Sequence, residues 1–187
     1  MQIDDTAIPD VKVITPRRHA DSRGFFAEWH NESALREAGL QLAFCQDNLS
    51  LSERKGTVRG LHFQLAPVAQ AKLVGVIEGR ALDVALDLRA GSPTYLRHVA
   101  VELSAEVGNQ ILVPEGFAHG FCTLADRTLV FYKITAPYSP AHDSGIYWAD
   151  PSLGISWPVA ERDAILSDKD RRLPRLDRAK PPFRYPV

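Results

Sequence analysis

The chain has 187 residues and a formal net charge of −1. That charge gives no argument for a nucleic-acid partner, and no apolar run approaches the roughly 20 residues that span a bilayer. With 45% hydrophobic residues, the length supports a proper core and a single domain over residues 1–187. The start, Met1-Gln2-Ile3-Asp4-Asp5, carries no apolar signal segment, so the expected location is cytoplasmic. Cys45 and Cys122 match no metal or redox spacing and read as buried free thiols, in keeping with a reducing compartment.

In chain order, Val11 to Thr15 reads as a short strand before Pro16. Asn31 to Gly39 reads as one short helix, with an N-cap residue, good helix formers and a closing glycine. Ala71 to Glu78 and Ala81 to Leu88 flank Gly79 and read as a hairpin or a sharp strand-to-strand turn. In the second, Leu82, Val84, Leu86 and Leu88 alternate with Asp83, Ala85 and Asp87, which is period two. Strands continue at His98 to Leu103, Gln110 to Val113, Gly120 to Leu124 and Thr128 to Thr135, with Gly, Pro and Ser between them. This spacing predicts an all-β jelly roll or similar barrel. The last 40 or so residues read as irregular chain packed over it, and the proline-rich stretch Lys180 to Pro186 cannot be a central strand.

Two segments resemble the signature strands of a cupin, a small β-barrel whose usual sites hold a metal on histidines and a carboxylate. The second signature is intact: Gly108, five residues, Pro114-Glu115-Gly116, two residues, His119. The first, Gly56-Thr57-Val58-Arg59-Gly60-Leu61-His62-Phe63-Gln64, is altered. Gln64 stands at the second histidine, and Lys72 stands at the carboxylate, six residues intervening before Gly79. A cation where a metal calls for an anion points to chemistry done by side chains, with no metal.

Ordered blocks narrow the resemblance. Asp21-Ser22-Arg23-Gly24-Phe25-Phe26, Gln46-Asp47-Asn48, Arg59-Gly60-Leu61-His62-Phe63-Gln64, Gln70-Ala71-Lys72-Leu73-Val74, Asp83 to Arg89, Ser92-Pro93-Thr94, Pro114 to Phe121, Phe131-Tyr132-Lys133 and Leu166-Ser167-Asp168-Lys169-Asp170 occur in this order. The chain resembles the dTDP-4-dehydrorhamnose 3,5-epimerase family over about residues 3–176. The resemblance implies a substrate, dTDP-4-keto-6-deoxy-D-glucose, whose C3 and C5 hydrogens flank the C4 ketone. Inverting each centre needs a base, an oxyanion stabiliser and an acid on the far side. The reaction is redox-neutral, so no cofactor is expected.

His62 is the candidate base, since imidazole takes and gives protons near neutrality. Asp170 is its expected orienting partner, although Ser167-x-x-Asp170 also reads as a capping box. Period two puts Lys72, Val74 and Val76 on one face, and Lys72 is assigned to the C4 oxygen. Tyr132, alternating with Phe131 and Lys133, is the candidate acid. By the resemblance His119 lies near the sugar. Arg23 and Arg59, with Lys169, are assigned to the diphosphate, because guanidinium groups suit phosphate oxygens. Tyr138 and Phe26 are assigned to either face of the thymine. Glu28, Gln46, Asp47 and Asn48 match positions that touch nucleotide or sugar, and Asp143 replaces the usual glutamate. The resemblance further implies a homodimer in which an N-terminal arm, about residues 1–30, crosses to the partner. The alternatives are a 5- or 3-mono-epimerase acting on the same substrate class, a metal-dependent cupin, and a non-catalytic nucleotide-sugar-binding barrel.

Overall fold

The computed structural model describes residues 1–178 and 180–186. Its elements in chain order are β1 (Gln2–Asp5), β2 (Lys12–Thr15), β3 (Arg18–Asp21), β4 (Gly24–Ala27), α1 (Glu32–Glu37), β5 (Gln46–Ser52), β6 (Val58–Gln64), β7 (Lys72–Glu78) and β8 (Arg80–Asp87). They continue with β9 (Arg89–Ala90), β10 (His98–Ser104), β11 (Gln110–Val113), β12 (Phe117–Thr123), β13 (Thr128–Ile134), β14 (Asp143–Gly145), α2 (Asp168–Arg171) and β15 (Phe183–Arg184). One sheet runs β1-β2-β11-β7-β13-β5 and the other β10-β8-β12-β6-β14, and every pairing within them is antiparallel. These two sheets pack face to face as a jelly roll.

The turn at Gly79 resolves the choice left open by the sequence. β7 and β8 lie in different sheets, so Gly79 joins the two layers and does not close a hairpin. Its φ is +79°, and a Cβ there would sit 2.6 Å from Oγ1 of Thr128, which leaves room for glycine alone. The interior between the layers is apolar at one end: Val74, Val76, Ile111 and Val130 from one sheet meet Ala81, Ala85, Leu103 and Phe121 from the other.

Both outer faces are also covered in part. Leu61, Val84 and Leu86 on the five-stranded sheet pack under Ile146, Leu153 and Phe183 of the C-terminal chain. That cover explains why the alternation in β8 is not a solvent-facing one, for Asp83 and Asp87 are both fully inside. Leu35 of α1 seals Ile14, Leu73 and Leu112 on the six-stranded sheet. Asn31 caps α1, its side chain accepting from the Ala34 N–H at 3.1 Å. The proline-rich end contributes only β15, two residues paired with β9 outside both main sheets. One expectation fails: Cys45 is exposed, because it precedes β5 in irregular chain, whereas Cys122 is buried on β12.

Candidate active site

Beyond its apolar end the interior opens into two adjoining cavities of about 380 and 290 Å³. His62, Lys72, Tyr132 and Lys169 line both. Gln46, Asn48, Gln64, Gln70, Tyr138 and Asp143 belong to one lobe. Arg59, His119, Ser167 and Asp170 belong to the other.

A bulge decides what β6 shows to this space. Period two would put Arg59 and His62, three apart, on opposite faces. Yet Arg59 pairs with Phe121 and His62 with His119, so β6 uses three steps where β12 uses two. The extra residue falls at Gly60, φ +132°, where a Cβ would lie 2.6 Å from Cα of Gly120. Two glycines in backbone contact thus let the bulge form, and the bulge brings both Arg59 and His62 to the cavity. It also sets the two signature histidines opposite each other.

His62 meets Asp170, Nε2 to Oδ1 at 2.6 Å. Asp170 arrives on α2, which Ser167 caps by accepting the Asp170 backbone N–H at 3.1 Å. The two readings of Asp170 are therefore compatible: its amide closes the cap and its carboxylate, almost fully buried, orients the imidazole. Burial pushes the Asp170 carboxyl upward, but the bond from His62, its charge and the hydroxyl of Ser167 outweigh it and hold the group below the ordinary value.

Lys72 and Tyr132 come from the opposite sheet. Lys72 pairs with Ile134 and Tyr132 with Val74, so both side chains share the inward face. The Lys72 ammonium makes no hydrogen bond among the described residues. Burial lowers it to about 8, against the opposing pull of Asp83 and Asp143 and with a further push from Lys169. Burial raises Tyr132, opposed by Arg59, so the phenol stays protonated and able to donate.

The residue that sequence reasoning passed over is Asp83. It is 1% exposed and sits on the inward face of β8, 2.9 Å from Nε2 of His119. The histidine-aspartate pairing of His62 thus recurs one strand away. An ionisable residue within the apolar run Ala81 to Leu88 was the available signal, because a buried carboxylate demands a partner.

On β5 the pairing to β13 turns Gln46 and Asn48 inward with Ile134 and Tyr132. The side-chain nitrogen of Asn48 is buried and has no partner among the described residues, leaving a donor at the cavity wall. Asp47 points the other way, bonded to Nζ of Lys133 at 2.7 Å, and does not line the cavity. Asp143 accepts from the Tyr138 hydroxyl at 2.9 Å and from Lys169. Asp143 is the shorter acid, yet it reaches both, which links the mouth of the cavity to α2.

Arg23, Phe26 and Glu28 are not at the cavity of their own chain. Arg23 pairs with Asp21 at 2.7 Å at the tip of the β3–β4 hairpin, Phe26 is 66% exposed, and Glu28 accepts from Asn31 at 3.1 Å. The base of that hairpin is fixed by Arg18, which donates to the carbonyls of Ala105 and Glu106 and lies over the ring of Phe25. Among the described residues no group of three or more His, Cys, Asp or Glu side chains is placed to hold a metal ion. An ammonium stands where such a set would need its acid, so the donor set does not fit one.

A jelly roll with this interior defines a cupin-type fold whose cavity is lined by histidine, aspartate, lysine and tyrosine. Residues 5–178 match the family described as dTDP-4-dehydrorhamnose 3,5-epimerase, and the chain belongs to that family. A relative of that name from Sinorhizobium fredii is 49% identical over 185 residues, 99% of this chain and 94% of its own. A crystal structure of the Bacillus anthracis enzyme with TDP and PPi bound superposes with a TM-score of 0.91 at 49% identity, covering 94% of this chain and 99% of that one. A Legionella pneumophila structure in complex with dTDP-4-keto-L-rhamnose gives 0.93 at 41% identity, covering 100% and 99%.

Proposed function

We propose that this chain converts dTDP-4-keto-6-deoxy-D-glucose to dTDP-4-keto-L-rhamnose by inverting C3 and C5. The observation that carries the reading is the origin of the two proton-handling groups. His62, paired with Asp170 of α2, projects from the five-stranded sheet and Tyr132 from the six-stranded sheet, into one cavity. A ring held between them meets a base on one face and an acid on the other. His62 removes the hydrogen next to the C4 ketone, and Asp170 stabilises the imidazolium that forms. The electron pair moves onto the C4 oxygen, where Lys72 holds the enolate. Tyr132 returns a proton from the opposite face; once His62 has released its proton to solvent and Tyr132 has regained one from it, the sequence repeats at the second carbon. His119, held by Asp83, and the free N–H of Asn48 serve the sugar oxygens.

Arg59 and Lys169 take the diphosphate, and Tyr138 stacks on the thymine. The remaining groups come from a second copy. β5 carries an inverted pattern, with Gln46, Asn48 and Ser50 turned inward and Leu49 and Leu51 outward at 66% and 41% exposure. An edge strand with its apolar side in water supports a covered face. In the homodimer proposed here the partner's β3–β4 hairpin delivers Arg23, Phe26 and Glu28, which have no role at their own cavity. Asp47 is assigned no contact with substrate. No helix among the described residues is long and apolar enough to cross a membrane. Two free thiols, Cys45 and Cys122, support a cytoplasmic setting.

The test is proton NMR in deuterated water with dTDP-4-keto-6-deoxy-D-glucose. Deuterium entering at both C3 and C5 is the expected result. Entry at one carbon alone would assign a mono-epimerase, and no entry would assign binding without turnover. His62→Ala should abolish exchange at both carbons while dTDP binding persists.

A further inference from the structure

The segment Ala136–Ser139 carries Tyr138, and each of its residues has a main-chain group bonded to a glutamine side chain, while the Ser139 carbonyl also accepts from the backbone N–H groups of His142 and Asp143 at 3.0 Å. Gln70 Nε2 donates to the Ala136 carbonyl at 2.8 Å. Gln64 Nε2 donates to the Pro137 carbonyl at 3.2 Å. Gln46 Oε1 accepts from the Tyr138 N–H at 3.3 Å, and Gln64 Oε1 accepts from the Ser139 N–H at 2.6 Å. Four consecutive residues each have a main-chain group tied by a glutamine, and the three glutamines come from three separate parts of the fold. Such a segment would otherwise exchange these bonds with water and move freely.

Glutamine suits this task chemically. A primary amide offers a donor end and an acceptor end at once, so it can bind a carbonyl and an N–H of the same strand of backbone. Neither a carboxylate nor an imidazole could serve two carbonyls and one N–H. Gln64 does so while 3% exposed, its Nε2 also donating to the Val68 carbonyl at 2.8 Å. It is neutral, so its burial carries no charge penalty. This accounts for an amide at the position where the cupin signature has its second histidine.

By contrast, the ring of Tyr138 is left open. The residue is 55% exposed, and its side chain is tied only through its hydroxyl to Asp143. A fixed backbone under a free aromatic face is a preorganised stacking plate. We propose that Gln46, Gln64 and Gln70 are positioning residues that hold Tyr138 over the cavity mouth, so that binding a flat base does not require ordering the segment. This rests on the functional reading above, and it assigns part of the nucleotide affinity to the backbone bonds that these three side chains make to the segment. Ordering a loop on binding lowers affinity, and removing that cost raises it.

The experiment measures Kd for dTDP by calorimetry, together with KM and kcat, for the wild-type chain, Gln70→Leu, Gln64→Leu and Tyr138→Ala, and for each glutamine variant combined with Tyr138→Ala. Gln70→Leu and Gln64→Leu should each raise Kd and KM about tenfold, within the range that one base–aromatic stack contributes. Their effect on kcat should be smaller, about threefold or less by the same reasoning. In the Tyr138→Ala background the same changes should cost less than about twofold, since the plate they position is gone. A full tenfold loss in that background, or no loss in the wild-type background, would overturn the proposal. Should buried Gln64→Leu fail to fold, the half-buried Gln70, which makes a single bond to the segment, carries the same cycle. If the wild-type chain does not bind dTDP, the functional reading falls and this inference with it. If it binds and ignores Gln70→Leu, only this inference falls.

Discussion

Nε2 of His62 and Oδ1 of Asp170 stand 2.6 Å apart although 108 positions separate them in the chain. The contact depends on α2, a single turn whose cap bond uses the backbone of Asp170 and so leaves its carboxylate free. Asp170→Asn removes the charge that stabilises the imidazolium but keeps the cap. Deuterium exchange at C3 and C5 should fall about 10²–10⁴-fold, the usual worth of general base catalysis. The melting temperature should change little. A variant that exchanges at the wild-type rate would remove Asp170 from the mechanism.

Lys72 illustrates a conflict between stability and activity. Burial brings its ammonium down to about 8 from 10.5. Folding therefore opposes its charge: the penalty is fully present below pH 8 and fades as pH rises from 8 to 10.5. Lys72→Met should melt higher than wild type at pH 7, by an amount on the order of 2–3 kcal/mol, and the gain should vanish by about pH 10.5. The same variant should lose about 10²–10³ in kcat, because the enolate loses its cation. In the wild-type chain kcat/KM should fall above about pH 8 as the free enzyme loses this proton. Melting curves and a pH–rate profile check both halves.

Asp83 is coupled to that titration. Its carboxylate raises the affinity of Lys72 for a proton and binds His119 at 2.9 Å. Asp83→Asn should therefore move the alkaline limb of kcat/KM below pH 8, with KM for the sugar nucleotide raised by loosening of His119. An alkaline limb that stays in place would mean that a group other than Lys72 sets it.

Tyr132 separates proton removal from inversion. In Tyr132→Phe the His62–Asp170 pair is intact, so deuterium should still enter the substrate and return to the same face. Epimerised product should fall about 10²–10⁴-fold. NMR of recovered substrate, with product analysis, checks this. Loss of exchange together with loss of product would place Tyr132 before the enolate and not after it.

Much of this site could be read along the chain because strand alternation is local. Lys72, Val74 and Val76 share a face, as do Tyr132 and Ile134, and Gln46 and Asn48 follow from the same period. The rule misleads where a residue is inserted or where both faces are covered. At Gly60 the bulge brings Arg59 and His62 to one side. On β8 the C-terminal chain covers the face of Val84 and Leu86 while Asp83 lies on the inward face, so both faces are buried and alternation alone does not tell which one carries the site. Asp47 shows the converse, since its block placed it with Gln46 and Asn48 while alternation turned it outward to Lys133.

The amino-acid order by itself determined the jelly-roll class, the family, and the kinds of groups available, because hydrophobic period, glycine turns and motif spacing are properties of short stretches. Only the tertiary structure decided which of those groups meet. The contacts of His62 with Asp170, His119 with Asp83, and the 136–139 segment with three glutamines join parts of the chain far apart in number. Such meetings are set by how two sheets stack and how the last forty or so residues fold back, and short-range pattern carries no record of either.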